Sequence, residues 1–298
     1  MRVLITGAAG FLGKQAALEF SGRNHLVYPL TRKELDITSQ YQVKSALIDI
    51  RPHLVINFAA YTDVDRAETE KEEAFTINGL GPLLLASACR MFSSTLVHIS
   101  TDYVFNGLSP RPYLVSDTPD PINVYGQSKL LGEQAVRESG CRYYIIRTSW
   151  LFGPGGKNFA TTILKLARER SSIKVIDDQR ACPTYVPDLA RGIADLSATG
   201  ITGTYHLTNS GSATRYEFAK TIIEAASLKT KIEPCSSAEF PTPARRPVNS
   251  ALNPFPTLQV QNKRQLFWEE RVKTYIKDRS FPHMEVSKLL LPAYNDQK

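Results

Sequence analysis

The chain has 298 residues, 42% hydrophobic and 22% charged, with a formal net charge of +7. That is the composition of an ordinary globular protein with enough apolar residues for a sizeable core. No apolar stretch approaches the roughly 20 residues that span a bilayer. The start, "RVLITGAAG", has a strand pattern without signal-peptide layout, so a cytoplasmic protein without membrane association is expected. Residues 241–298 carry ten Lys/Arg against five Asp/Glu. No basic cluster there is interleaved with aromatics, so a groove for an anionic small molecule suits the excess at least as well as nucleic acid. Cys89, Cys141, Cys182 and Cys235 form no CxxC pair and have no His at metal-ligand spacing. Reduced thiols and no metal site are expected.

Strands and helices alternate through the first half. "RVLITG" reads as a strand, "GKQAALEFSG" as a helix and "HLVYPL" as a second strand. "SQYQVKSALIDIRP" reads as a helix capped by Ser39 and ended before Pro52. "HLVINFAA" is a strand, residues 70–91 are helical, "TLVHIS" is a strand and residues 124–138 are a helix. "YYIIRTSWLFG" reads as one further strand. Near-continuous apolar strands alternating with helices predict a doubly wound parallel α/β sheet. Beyond about residue 153 the rhythm loosens. Helices are expected in "NFATTILKLARER", "PDLARGIADLSA" and "TRYEFAKTIIEAASL", and strands in "IKVIDDQ" and "GTYHLTNSG". "EFPTPARRPVNSALNP" is expected to be an ordered loop. The predicted organisation is a dinucleotide-binding domain over 1–153, a smaller and partly interwoven substrate-binding lobe over 154–277, and a tail over 278–298 that serves packing or association.

"ITGAAGFLG" spaces Gly7, Gly10 and Gly13 as GxxGxxG between a strand and a helix. The first glycine allows the turn, the second lets backbone approach a pyrophosphate, and the third lets helix and strand pack closely. The phosphates would meet the helix N-terminus, where free N–H groups favour anions. The second strand ends "YPLTRKELDI", with no acid at Leu30 or Thr31 to read a ribose 2′-hydroxyl. Arg32 follows and suits a 2′-phosphate, so NADPH is expected, with NADH as the other option. Asp36 either approaches the adenine edge or caps a turn.

"LVHIS" leads into "STDYVFNG" at the carboxyl edge of the sheet, where ligands bind. Thr101 can hydrogen-bond a substrate carbonyl, Tyr125 can protonate it, and Lys129 can hold the nicotinamide ribose. Tyr125 and Lys129 share one helix face. A nearby ammonium would lower the phenol from its usual value near ~10. His98 reads as a core histidine, and Tyr103 as a packing residue or a neighbour of the substrate. Arg245 and Arg246 suit either a diphosphate or a surface ion pair. Trp150 taken alone reads as packing.

The stretches "TGAAGFLG", "LDIT", "RPHLVINFAAYTDVDRAE", "LVHISTDYVFNG", "PINVYGQSKLLGEQAV", "IIRTSWLFGPGGKNF" and "PTPARRPVNSALN" run in order from residue 1 to about 253. With them the chain resembles the dTDP-4-dehydrorhamnose reductases, a branch of the extended short-chain dehydrogenases/reductases. "FWEERVKTYIK" extends the resemblance to about residue 277. It implies an NAD(P)-binding Rossmann-like domain that reduces the 4-keto group of dTDP-6-deoxy-L-lyxo-4-hexulose to give dTDP-L-rhamnose. Gly10, Phe11 and Leu12 would contact the pyrophosphate, and Asp36 and Ile37 would flank the adenine. Ala59, Ala60, Tyr61 and Thr62 would line the cofactor. Thr101, Asp102 and Trp150 would bind the sugar, Tyr125 would donate the proton, and Lys129 would be its partner. The resemblance allows a homodimer. Some members carry magnesium at a dimer interface, but no carboxylate motif here carries that over.

The departures are the missing acid after the second strand and Arg180-Ala181-Cys182 where a Gly-containing stretch is common. Related dehydratases need an Asp–Glu pair after the Thr, and here Tyr103 follows Asp102. STDYVF argues against an epimerase, although a reductase or epimerase for another nucleotide sugar is one alternative. The non-enzyme alternative is an NADP-binding regulatory subunit like the β-subunit of methionine adenosyltransferase. Its RTSW counterpart lacks the tryptophan that Trp150 retains here.

Overall fold

Each apolar run of the first half becomes a strand. The computed structural model, which describes residues 1–262 and 266–278, places β1 at Arg2–Thr6, β2 at Leu26–Leu30, β3 at Leu54–Asn57, β4 at Thr95–Thr101 and β5 at Arg142–Thr148. Between them run α1 (Phe11–Gly22), α2 (Gln40–Ile50), α3 (Lys71–Phe75), α4 (Gly81–Met91) and α5 (Val124–Glu138). Next come β6 (Leu151–Phe152), α6 (Phe159–Glu169), β7 (Ser172–Ile176), β8 (Arg180–Ala181), β9 (Thr184–Tyr185), α7 (Val186–Ala198) and β10 (Gly203–His206). The chain continues through β11 (Ala213–Thr214), α8 (Arg215–Ala225), β12 (Lys231–Cys235), α9 (Thr257–Gln261) and α10 (Trp268–Asp278).

The main sheet is parallel throughout, in the order β10-β5-β4-β3-β1-β2. Connections run one way from β1 to β2 and the other way from β3 onward. This switch point opens a crevice at the carboxyl ends of β1 and β3. Both faces are covered. Val3, Ile5 and Ile56 pack with Ala16, Phe20 and Leu189 on one side. Leu4, Val55 and Leu96 pack with Leu47, Leu85 and Val136 on the other. A separate core joins α6, α8 and α10 around Phe152, Phe218 and Tyr275. The fold is the doubly wound, Rossmann-like one expected. No helix among the described residues is long and apolar enough to cross a membrane.

Three local expectations change. "YYIIRTSWLFG" is not one strand: β5 ends at Thr148, and Trp150 turns the chain with φ +41° before β6 pairs with β9. The left-handed turn sends the chain from the main sheet into the smaller core, and periodicity carries no signal for it. The helical stretch 70–91 contains a π-turn over Thr76–Leu80. Over Lys231–Cys235, where no strand is expected, β12 forms and pairs with β7 as a two-stranded sheet, whose edge tolerates Pro234. Ser39 caps α2 as expected, accepting from the Gln42 amide at 3.4 Å, and Arg51 closes that helix with φ +48°. The tail expectation falls on 279–298, outside the described residues.

α5 lies against its neighbours backbone to backbone. A Cβ on Gly126 would stand 2.1 Å from the Tyr103 carbonyl oxygen, and one on Gly132 2.2 Å from that of Asn78. Helix propensity alone favours alanine over glycine by about 1 kcal/mol. At Gly132 the clash with backbone outweighs that gain, so Gly132→Ala is expected to destabilise by about 3 kcal/mol. Gly22 has nothing within 4 Å of such a Cβ, and Gly22→Ala should be neutral or stabilising. Urea denaturation of both variants checks this; equal stability of the two would show that α5 can move away from the π-turn that carries Asn78.

Candidate active site

The β1–α1 turn forms the floor of a cleft of about 650 Å³ at the carboxyl edge of the sheet. Gly7 has φ +64°, and a Cβ there would lie 2.6 Å from the Ala59 amide nitrogen. A Cβ on Gly13 would reach 2.5 Å from the Gly7 carbonyl oxygen. These two glycines therefore perform the turning and packing roles that the spacing predicts. Gly10 is the N-cap of α1 and supplies no side-chain cap, which leaves the first-turn amides facing the cleft where Phe11 and Leu12 line it. A glycine cradle and an uncapped helix N-terminus fit a dinucleotide pyrophosphate.

Arg32, Asp36 and Ile37 line the same cleft, as do Ala59, Ala60 and Thr62. The Arg32 side chain is 74% exposed and only loosely paired with Glu73 at 3.9 Å, so it can turn to a phosphate. The Asp36 carboxylate accepts from the Thr38 amide at 2.9 Å and from its hydroxyl at 2.7 Å. Those bonds hold its pKa below the usual value. Asp36 thus makes the turn and also faces the cleft. Tyr61 turns away, because its hydroxyl donates to Glu70 at 2.5 Å. Its contribution is backbone: Asn78 accepts from the Tyr61 amide at 2.9 Å and donates to the Tyr61 carbonyl at 3.0 Å. Asn78 sits buried on the π-turn and clamps the 59–62 loop. The residue pattern of 70–91 gave no signal for that clamp. Asn57 supports the loop from below, accepting from Thr6 at 2.7 Å and Ala59 at 3.2 Å while donating to His98 at 3.2 Å. His98 is the expected core histidine, and burial holds its pKa well below the ordinary value.

Thr101, Tyr125 and Lys129 meet where β4 ends. Asn123 caps α5 by accepting from the Gly126 amide at 2.7 Å, which sets Tyr125 in the first turn. One turn on, the Lys129 ammonium donates to the Ile99 carbonyl at 2.6 Å. Burial lowers the Lys129 pKa to about 8, against a smaller opposing pull from Glu133. The expected lowering of the Tyr125 phenol is reversed. Burial raises its pKa well above 10, and its hydrogen bond with Thr101 only partly opposes the rise. Desolvation of the phenolate dominates, and the neighbouring Asp102 and Tyr103 add to the rise.

Asp102 is 3% exposed, and burial pushes its carboxyl up to about 6. It accepts from Thr101 at 3.0 Å and from Ser250, which the Pro-rich loop brings in. Tyr103 is buried edge-on to Tyr125, with ring centroids 6.0 Å apart. Trp150 lines the cleft. Arg245 is exposed, and its carbonyl accepts from Asn123 at 2.8 Å. Arg246 forms a two-pronged ion pair with Asp65, at 3.0 and 2.7 Å. Arg180 pairs with Glu217 at 3.1 Å, and its backbone is tied to Val248 and Ser250 at 2.7 and 2.8 Å. The Arg180-Ala181-Cys182 segment is therefore a strap on the Pro-rich loop. Cys182 is buried, and its thiol is pushed up to about 11.

Two further features escaped the sequence. Glu133 is fully buried and accepts from Arg147 at 2.8 and 2.7 Å and from Ser100 at 2.6 Å. This network ties α5 to β4 and β5 beneath Thr101, Tyr125 and Lys129. Arg215, first residue of α8, lies over the Trp150 ring at 3.8 Å.

The family model for the RmlD substrate binding domain matches residues 1–281. The spore coat polysaccharide biosynthesis protein SpsK of Bacillus subtilis is 38% identical over 279 residues, covering 94% of this chain and 98% of that protein. The dTDP-4-dehydrorhamnose reductase of Burkholderia thailandensis is 38% identical over 270 residues, covering 85% and 90%. Among solved structures, dTDP-4-dehydrorhamnose reductase from Bacillus anthracis in complex with NADP superposes with a TM-score of 0.90 at 43% identity, covering 93% of this chain and 99% of that one. With its glycine loop, Thr101, Tyr125 and Lys129 gathered on one sheet edge, this chain belongs to the dTDP-4-dehydrorhamnose reductase family.

Proposed function

We propose that the protein reduces the 4-keto group of dTDP-6-deoxy-L-lyxo-4-hexulose to give dTDP-L-rhamnose, with NADPH as reductant. The observation that carries this reading is one cleft lined by both the glycine loop and the Thr101–Tyr125–Lys129 set. The 38–43% identity to relatives of that name supports the substrate. Bound NADPH would supply the hydride, with Gly7, Gly10, Phe11, Leu12 and Gly13 holding its pyrophosphate. Ala59, Ala60 and Thr62 would flank it, with Tyr61 serving through its backbone. Thr101 orients the ketone oxygen by hydrogen bonding. Tyr125, held protonated by burial, gives its proton only when the oxygen becomes an alkoxide, a stronger base than the phenolate left behind. Lys129 then stabilises that phenolate by charge. The buried Asp102 binds a sugar hydroxyl, and Trp150 closes the pocket over the ring. A soluble homodimer in the cytoplasm is the matching assembly and location.

The primary assay follows NADPH and NADH absorbance with the 4-keto sugar nucleotide made in situ by the upstream dehydratase and epimerase. Sugar-dependent oxidation is expected, faster with NADPH; tight NADPH binding without oxidation would defeat the reductase reading. Tyr125→Phe should bind NADPH normally and lose about 10²–10⁴ in rate, and full activity would remove Tyr125 from its role. Arg32→Ala should weaken NADPH binding and leave NADH nearly unchanged. Equal loss for both cofactors would defeat the 2′-phosphate assignment.

Asp102 adds a pH signature. Its pKa is raised from 3.8 to about 6 in the folded chain, so between those values the folded state holds a proton the unfolded chain has released. That contribution is complete below pH 3.8 and is lost as pH rises through about 6. Asp102→Asn should remove this loss, so that relative to wild type the variant gains stability across the window. Urea titrations at several pH values test it, and parallel pH profiles would contradict the assignment.

A further inference from the structure

Arg215 has an environment that the fold alone does not require. It is the first residue of α8, where the helix dipole disfavours a cation. The helix start does not depend on it, because Thr214 and Glu217 cap one another: Thr214 accepts from the Glu217 amide at 3.1 Å, and Glu217 from the Thr214 amide at 2.7 Å. The guanidinium instead lies over the Trp150 ring at 3.8 Å and near the Phe159 ring at 5.0 Å. Trp150 is itself held in place: Thr184 donates to its carbonyl at 3.1 Å, and the Ser149 hydroxyl donates to Cys182 at 2.7 Å.

Two guanidiniums lie close enough to Tyr103 for their charges to act on its phenol: Arg215 and Arg246. Their charges are balanced differently. Arg246 is neutralised by both oxygens of Asp65. Arg215 forms no ion pair within 4.0 Å among the described residues, and Asp102 attracts it only at longer range. The Asp102 oxygens are already taken by Thr101 and Ser250. Arg215 is half-buried; a partly desolvated cation without a close counter-ion carries a cost that an anionic ligand removes. Stacking on Trp150 uses the face of the guanidinium and leaves in-plane N–H groups that match phosphate oxygens as a fork.

We infer that Arg215, stacked on Trp150 beside Tyr103, is the residue that grips a phosphate of the nucleoside diphosphate carried by the sugar substrate. This rests on the reductase reading and deepens it, moving the anion-binding role from the Pro-rich loop to the start of α8. The sugar then lies between Tyr125 and Trp150, with its diphosphate on the Arg215 side. A free sugar lacking the diphosphate cannot satisfy the charge, so Arg215 selects the activated sugar over the free one.

The test is calorimetric titration of dTDP and, separately, thymidine into the NADPH-saturated protein. Arg215→Met keeps an apolar stem against Trp150 and removes the charge. It is expected to weaken dTDP by about tenfold or more, with thymidine and NADPH affinities unchanged. Unchanged dTDP affinity would overturn the assignment. So would equal weakening of dTDP and thymidine, which marks a damaged pocket, or a wild-type protein that does not bind dTDP. Should the Met variant not fold by circular dichroism, Arg215→Lys replaces it. Lys keeps the charge without the fork, so dTDP should weaken measurably while thymidine does not, and an unaltered dTDP affinity again refutes the role. Absence of turnover together with Arg215-dependent dTDP binding would remove the reductase reading and leave this one standing.

Discussion

The arrangement depends on how closely α5 approaches the turns that carry Tyr103 and Asn78. Gly126 touches the backbone beside Tyr103, and Gly132 touches the backbone of Asn78. Neither contact leaves room for a methyl group. The approach is locked from inside by Glu133, which draws Arg147 of β5 and Ser100 of β4 onto the helix. A buried carboxylate with this many donors stays ionised despite desolvation, and its pKa is lowered. Tyr125 and Lys129 project from the same helix. Their position over the end of β4 is therefore set by backbone contact and a buried ion network, not by loop conformation.

Burial also decides the protonation states in the cleft. Tyr125 and Asp102 are pushed upward and Lys129 downward, each mainly by loss of water. All three shifts favour neutral forms. Any charge formed in this cleft would stand against a dry background, where nearby dipoles and cations act strongly. Lys129 remains largely cationic at neutral pH because its shifted value lies near 8, and its bond to the Ile99 carbonyl keeps it from swinging away.

Much of this was legible in the sequence because it rests on local patterns. The glycine spacing places the β1–α1 turn, Ser39 and Pro52 bracket α2, and apolar runs mark the five strands that lead the sheet. The Thr–Tyr–Lys set was readable because its members sit at fixed offsets from a strand end and a helix start. What stayed hidden depends on contacts between distant segments. The left-handed turn at Trp150, the π-turn carrying Asn78 and the Asp65–Arg246 pair have no short-range signature. The direction of the Tyr125 shift was misread for a related reason: a charge one turn away is visible in sequence, whereas the water removed by packing is not. Arg215 left one trace, a cation at a helix start where an acid is preferred.

β10 has a consequence for how the polypeptide can be divided. It follows α7 and lies far along the chain, yet it forms the outer edge of the main sheet beside β5. Cleavage after β6 would strip that edge and expose the full hydrogen-bonding rim of β5, a surface prone to pairing with other chains. The segment after β6 would in turn carry an orphan strand. Exchanging the segment after β6 for that of a relative must therefore transfer or preserve this strand and its register with Tyr144–Arg147.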